Sequence, residues 1–239
     1  MTKEQFIKRV LLIMNETGLY DVNGNSFLGA DTAQVDRHIE GSYVDAWRRC
    51  IKVMPRLWFK NATFKTATLQ ADLEHGIGFV VLPDDFYLLS RFKMKGWKKP
   101  VLEAAIENER VASIQTNEYT RGSQIRPVCT ISDQLIEDND AETSAVKHVL
   151  NYYSLKCGLV KHEVEEAIYI PVCKPLKEID TDEELELNDQ LIEPLAYLVA
   201  STVFTQFEKY DISKSLEQRA VEMFPGLDSV RGTNITVKQ

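Results

Sequence analysis

Paired carboxylates, histidines and cysteines are the residue types most able to do chemistry in this chain, and their spacing decides how much. Asp84 and Asp85 stand side by side after Pro83, where two carboxylates could divide acid–base work. Neighbours on a helical turn do not face one another, however, and an Asp after Pro is an ordinary helix cap. Asp21-Val-Asn-Gly-Asn places oxygen ligands at the first, third and fifth positions of a calcium loop. The second half of that loop fails. Ser26 stands where the turn glycine belongs, and Thr32 where a bidentate glutamate is needed. A turn-forming connection between two helices is the simpler expectation. Asp180-Thr-Asp-Glu-Glu-Leu-Glu alternates carboxylates without the glycine or the distal glutamate, and acids ahead of a helix are favoured by its dipole.

His162 lies beside Glu163, Glu165 and Glu166 but has no second His or Cys at ligand spacing, and His38, His75 and His148 are isolated. Cys50, Cys129, Cys157 and Cys173 form no C-x-x-C pair, so they are expected to be buried free thiols. No nucleophile elbow, phosphate loop, dinucleotide fingerprint or zinc-protease helix occurs. The expectation is therefore no catalytic residue, no metal ligand and no cofactor. Arg91-Phe-Lys-Met-Lys-Gly-Trp97-Lys-Lys interleaves bases with aromatics, as do strands that stack single-stranded nucleic acid. A half-buried strand with a basic outer face gives the same pattern. A nucleic-acid-binding or scaffolding module using residues 91–99 is the alternative function.

The scaffold is bounded by 239 residues, 44% hydrophobic and 27% charged, which predicts one large domain or two small ones with a sizeable core. The N-terminus lacks a basic region followed by an apolar one, and no stretch reaches the ~18–20 apolar residues of a membrane span. A soluble chain made in a cytoplasm, with no membrane partner, is expected. A net charge of −8 opposes a tight, sequence-independent grip on nucleic acid. Bases dominate residues 48–99 and acids residues 137–193. Such asymmetry suits plain solvated surface, or the complementary faces of a head-to-tail oligomer.

Thr2 and Gln5 form a capping box ahead of a helix over 3–16, with Phe6, Val10, Ile13 and Met14 facing inward. Asp31 caps a second helix over 32–53, whose Val35, Ile39, Tyr43, Ala46, Trp47 and Cys50 recur at helical spacing. The middle is β-rich, with strands at 66–73, 78–83, 91–97, 126–131, 148–155 and 166–173 and short helices at 84–89 and 104–116. Pro171 marks an edge strand or a bulge. Two helices close the chain, one through 191–207 and one over 212–224, ahead of a tail at 227–239. Pro194 leaves two possibilities: a start near Ile192, or an Asn188 cap followed by a kink.

The first closing helix is apolar around most of its circumference. Ile192, Leu195, Leu198, Val199, Val203, Phe204 and Phe207 exceed the ~100° stripe that one core contact needs. Cover from its own domain and from a neighbouring subunit is expected. Tyr197, Phe204, Phe207, Phe224 and Trp97 are the candidate subunit interface.

Two N-terminal helices, a β-rich insert, two C-terminal helices and an extended tail follow in that order. Within them stand Val44-Asp-Ala-Trp47, Leu82-Pro-Asp-Asp-Phe86, Leu191-Ile-Glu-Pro-Leu-Ala-Tyr-Leu-Val-Ala200 and Ser215-Leu-Glu-Gln-Arg-Ala220. The chain resembles the head-to-tail adaptor, or connector ring, proteins of tailed bacteriophages, especially short-tailed and crAss-like phages. The resemblance implies an α+β fold: a helical bundle from 1–61 and 178–226, a β-barrel or sandwich-like domain over 62–177, and an extended tail over 227–239. It also implies a structural subunit, not an enzyme, made in the host cytoplasm and residing in the virion neck. Its partners would be a homo-oligomeric ring, a dodecamer, with the portal protein, further neck and tail proteins, and double-stranded DNA passing through non-specifically. The portal-docking role falls on the tail, at Val230, Arg231, Ile235 and Val237. The β region is larger than in the smaller adaptors, which fits a second ring of the neck that does not touch the portal. An acidic lumen would let duplex DNA pass without sticking.

Overall fold

Thr2 and Gln5 cap each other. The Gln5 amide donates to Thr2 Oγ1 at 3.3 Å and the Thr2 amide to Gln5 Oε1 at 3.1 Å, the reciprocal pattern of a capping box. The computed structural model describes residues 1–16, 32–64, 69–106, 109–137, 144–156, 160–181 and 183–223. Among them run helices α1 (Lys3–Glu16), α2 (Thr32–Val53), α3 (Arg110–Ser113), α4 (Asp189–Gln206) and α5 (Tyr210–Glu222), with two β-sheets, so the fold is α+β. The chain divides into two compact units, one of residues 1–60 with those from 173 onward, the other of 61–172.

In the first unit α4 packs against α5, α2 and α1. Asn188 caps it, its side-chain oxygen accepting from the Gln190 amide at 3.0 Å, so the helix begins at Asp189 and runs through Pro194. Pro194 is buried, and packing holds the helix across the backbone bond the ring removes. Leu195, Ala196, Val199, Ala200, Val203 and Phe204 are wholly shielded from water, and Tyr197 and Leu198 nearly so. One copy therefore buries Leu195, Leu198, Val199, Val203 and Phe204 by itself, while Ile192 and Phe207 stay half-buried. At these buried residues the cover comes from three helices of the same chain, α1, α2 and α5, without a neighbouring subunit. Where α4 meets α5, small residues let the backbones approach, and Ser201 Oγ donates to the Ser213 carbonyl at 2.9 Å. Arg9 forks onto both oxygens of Glu193 at 2.9 and 2.6 Å, tying α1 to the start of α4.

The second unit holds β1 (Ala62–Thr63), β2 (Gln70–Asp72), β3 (Ile77–Val81), β4 (Phe86–Met94), β5 (Ala105–Ile106), β6 (Cys129–Glu137), β7 (Ser144–Tyr152) and β8 (Val164–Pro171). They form a three-stranded sheet in the order β1-β8-β4 and a five-stranded sheet in the order β2-β3-β7-β6-β5. Among the described strands only β5 runs parallel to its neighbour. Leu89, Phe92, Met94 and Tyr169 from one sheet and Val80, Leu150 and Tyr152 from the other share a single core with Trp97. Among the described residues neither sheet closes into a barrel.

Three local expectations change. Residues 84–89 are not a helix: Asp84 and Asp85 turn, and β4 starts at Phe86. The reason is long-range, since the Tyr169 hydroxyl donates to Asp85 Oδ1 at 2.7 Å and the Val172 amide to the Asp85 carbonyl at 2.7 Å. The helix expected over 104–116 shrinks to α3 and a 3-10 turn at Ile114–Thr116, because Ala105–Ile106 joins β6 as a strand. Pro171 ends the central strand of its sheet, not an edge, at a register shift between Phe86 and Leu88. The bulge expectation fits; the edge one does not.

The β6/β7 hairpin is longer than the sheet around it. Nine residue pairs run from Cys129–Tyr152 to Glu137–Ser144. On β7, β3 pairs only with Val149 to Tyr152, and on β6, β5 pairs only with Thr130 and Ile131. From Asp133–His148 outward the ribbon is two strands wide among the described residues.

Candidate functional site

The second unit contains a buried polar pair that no motif announces. The Tyr152 hydroxyl and His162 Nδ1 lie 2.8 Å apart, and His162 is only 2% exposed. Its Nε2 has no hydrogen-bond partner among the described residues. β3 passes so close that a Cβ on Gly78 would sit 2.3 Å from both the Tyr152 hydroxyl and the Gln70 carbonyl. Only glycine fits there. Burial pushes the His162 pKa down, partly opposed by the charge of Asp72, and burial pushes the Tyr152 hydroxyl up. Both groups are thus neutral near pH 7. An isolated Gly inside an apolar strand signals close backbone approach, and Gly78 was the one sequence clue to this place.

The pair has a pH consequence. Below about pH 6.5, the ordinary His value, the unfolded chain takes up a proton at residue 162 that the folded chain resists. Stability of the second unit should therefore fall as pH drops from 6.5 toward the lower folded value, by at most about 1.4 kcal/mol per pH unit for one group. Urea unfolding at pH 7.5 and 5.0 checks this, and His162→Gln should flatten the dependence. His75 works in the opposite sense: its exposed ring bonds Asp72 at 2.8 Å and its pKa is raised by that bond, so its contribution fades as pH rises.

Outside the core, Gln70, Asp72, Phe79, Gln134, Asn151 and Tyr153 line an open cleft of about 380 Å³ on the five-stranded sheet. Its polar groups largely satisfy one another. Gln134 donates to Asn151 Oδ1 at 3.1 Å, Asn151 Nδ2 donates to Ser132 Oγ at 2.8 Å, and the Tyr153 hydroxyl lies 3.1 Å from Thr130 Oγ1. No Lys or Arg is among the described residues that line it, so these supply no cation to hold a phosphate.

The residues singled out by type mostly have structural work. Asp85 accepts the Tyr169 hydroxyl, whose pKa is pushed up to about 12 mainly by burial, and does not pair with Asp84. Cys50 and Cys129 are buried, and burial pushes the Cys50 thiol up to about 12, far from a reactive thiolate. Cys173 is half-buried, and Cys157 lies outside the described residues. No group of three or more His, Cys, Asp or Glu among the described residues could hold a metal ion, and the Asp21 loop falls outside them. No helix among the described residues is long and apolar enough to cross a membrane.

The basic strand is spoken for. Arg91 pairs with Glu166, Lys93 with Glu165 at 2.9 Å and Lys95 with Glu163 at 2.7 Å, across β4 and the β8 side of the sheet. Phe92, Met94 and Trp97 point into the core. These aromatics cannot present a stacking face to nucleic acid. Glu163, Glu165 and Glu166 of the acidic run are thus matched to the basic run inside one copy. No protein-family model matches the chain, and no curated protein matches it.

The candidate interface divides in the same way. Tyr197, Phe204 and Trp97 are core side chains and offer a neighbour no surface. Phe207 is half-buried, its ring edge-on to His38 with centroids 4.9 Å apart. Phe224 and the tail residues Val230, Arg231, Ile235 and Val237 lie outside the described residues. Large apolar groups that are exposed instead include Leu57, Leu135 and Val146. Periodicity marks apolar positions but not the number of the chain's own helices available to cover them, which is why Tyr197 and Phe204 read as interface residues from sequence yet lie in the core.

Proposed function

We propose that this chain is a structural ring subunit of a phage neck, joining portal to tail around the DNA path. One observation carries the reading: helices from both ends of the chain build one unit around α4, while residues 61–172 form a separate β unit set between them. The resemblance to connector rings likewise implies a bundle of helices from both ends of the chain, with a β domain inserted between them in sequence. The apolar excess of α4 no longer argues for it, so contacts between copies must come from other surfaces. The internally paired bases of β4 support a wall to which DNA does not adhere.

Purified chain mixed with its portal should give a ring stacked on the portal by electron microscopy. Persistent monomers that never bind portal would overturn the reading. Binding to single-stranded DNA at physiological salt should be negligible, and salt-dependent binding there would favour the nucleic-acid module instead.

A further inference from the structure

We infer that the open cleft on the five-stranded sheet is a binding site for a neutral saccharide. Strand register builds it as one row of side chains. Gln70 on β2 stands opposite Phe79 on β3, Phe79 opposite Asn151 on β7, and Asn151 opposite Thr130 on β6. Directly opposed residues share a face of the sheet, so an aromatic ring lies between two amides. Gln134 and Tyr153 extend the lining. The volume of about 380 Å³ falls within the range of small-molecule sites, about 300–1,000 Å³.

Hydrogen bonds fix part of this row and leave the rest open. Asn151 is held by Gln134, Ser132 and Thr130 at 3.1, 2.8 and 3.4 Å. An amide offers two N–H donors and an oxygen with two lone pairs, so Gln134 keeps its oxygen and one N–H for a ligand. Among the described residues the exposed Gln70 amide has no hydrogen-bond partner, and the half-buried Phe79 ring stacks on no other. Asp72 at the rim is engaged, its Oδ1 accepting from the His75 amide at 3.0 Å and its Oδ2 lying 2.8 Å from His75 Nδ1.

This chemistry selects among ligand classes. Phosphates and nucleic acid need cations, whereas the described lining has a carboxylate and no Lys or Arg. A peptide that adds as a strand needs an open sheet edge. Phe79 and Asn151 stand on β3 and β7, inner strands paired on both sides. A neutral sugar meets both features of the row. Its hydroxyls pair with planar amides, and its slightly positive C–H face settles on the negative face of an aromatic ring. Every lining residue belongs to one copy, so the inference does not depend on ring assembly.

The test is saturation-transfer NMR of the full chain with maltotriose, cellotriose, mannotriose and tri-N-acetylchitotriose, then calorimetric titration of those that respond. At least one should bind with a dissociation constant of about 1 mM or tighter, and inorganic phosphate should not compete. Phe79→Leu and Gln70→Ala together should weaken that binding at least about tenfold. Gln70 is exposed, so Gln70→Ala alone, with unchanged circular dichroism, keeps the test sound if the Phe79 change unsettles the sheet. That single variant should weaken binding about threefold. Silence from all of these sugars, binding unchanged by Gln70→Ala, or displacement of the sugar by phosphate would each overturn the inference.

Discussion

Phe204→Ala should destabilise the helical unit by about 3–5 kcal/mol, the range for removing a fully buried Phe. Phe204 has no exposed surface, and α4 is surrounded by α1, α2 and α5. Total stabilities of about 5–15 kcal/mol make this a large fraction of what holds a domain together. Urea unfolding of the isolated monomer, followed by circular dichroism, reads the effect directly. Phe207→Ala, half-buried against His38, should cost far less. The pair of variants separates two roles for this helix. Were Phe204 an interface residue, alanine would leave the monomer's midpoint unchanged and weaken only association.

Gly78→Ala should be the most damaging small substitution in the β unit. The added methyl would meet a backbone carbonyl, Gln70 O, and the buried Tyr152 hydroxyl, each at 2.3 Å. A side chain can swing aside, but a carbonyl in the β2–β3 ladder moves only with its strand. The cost should reach the upper end of overpacking penalties, about 3 kcal/mol. Adding Tyr152→Phe removes one clash and leaves the other, so the double variant should recover only part of the loss. Unfolding midpoints for the two variants test this, and a Gly78→Ala protein as stable as wild type would mean that β3 does not pass Tyr152 as described.

What was legible in the sequence was what local chemistry decides. The Thr2–Gln5 box acts within three residues and forms as its spacing predicts, and of the two starts open for α4 the structure takes the Asn188 cap. Helical spacing in α1 and α2 likewise named the buried faces, Phe6 to Met14 and Val35 to Cys50. The illegible parts depend on partners far away along the chain. Asp84-Asp85-Phe86 has helix-start chemistry, yet Tyr169, 84 residues later, draws Asp85 against the sheet. Interleaved bases and aromatics at 91–97 fit a stacking strand and a sheet over a core equally well. Glu163, Glu165 and Glu166 decide between them. The His162–Tyr152 pair left no motif, because its tight third member is a glycine.

The insertion of residues 61–172 between the two halves of the helical unit sets an order of events during synthesis. α1 and α2 leave the ribosome first, but α4, against which both pack, begins only at Asp189. At translation rates of about 5–20 residues per second, that wait is on the order of ten seconds. Phe6, Ile39 and Tyr43 meanwhile lack the partner that later shields them, while the β unit can already fold. Newborn chains are therefore most vulnerable to aggregation, and most in need of chaperones, through their amino-terminal helices, and any message truncated before codon 189 leaves that greasy pair permanently unmatched.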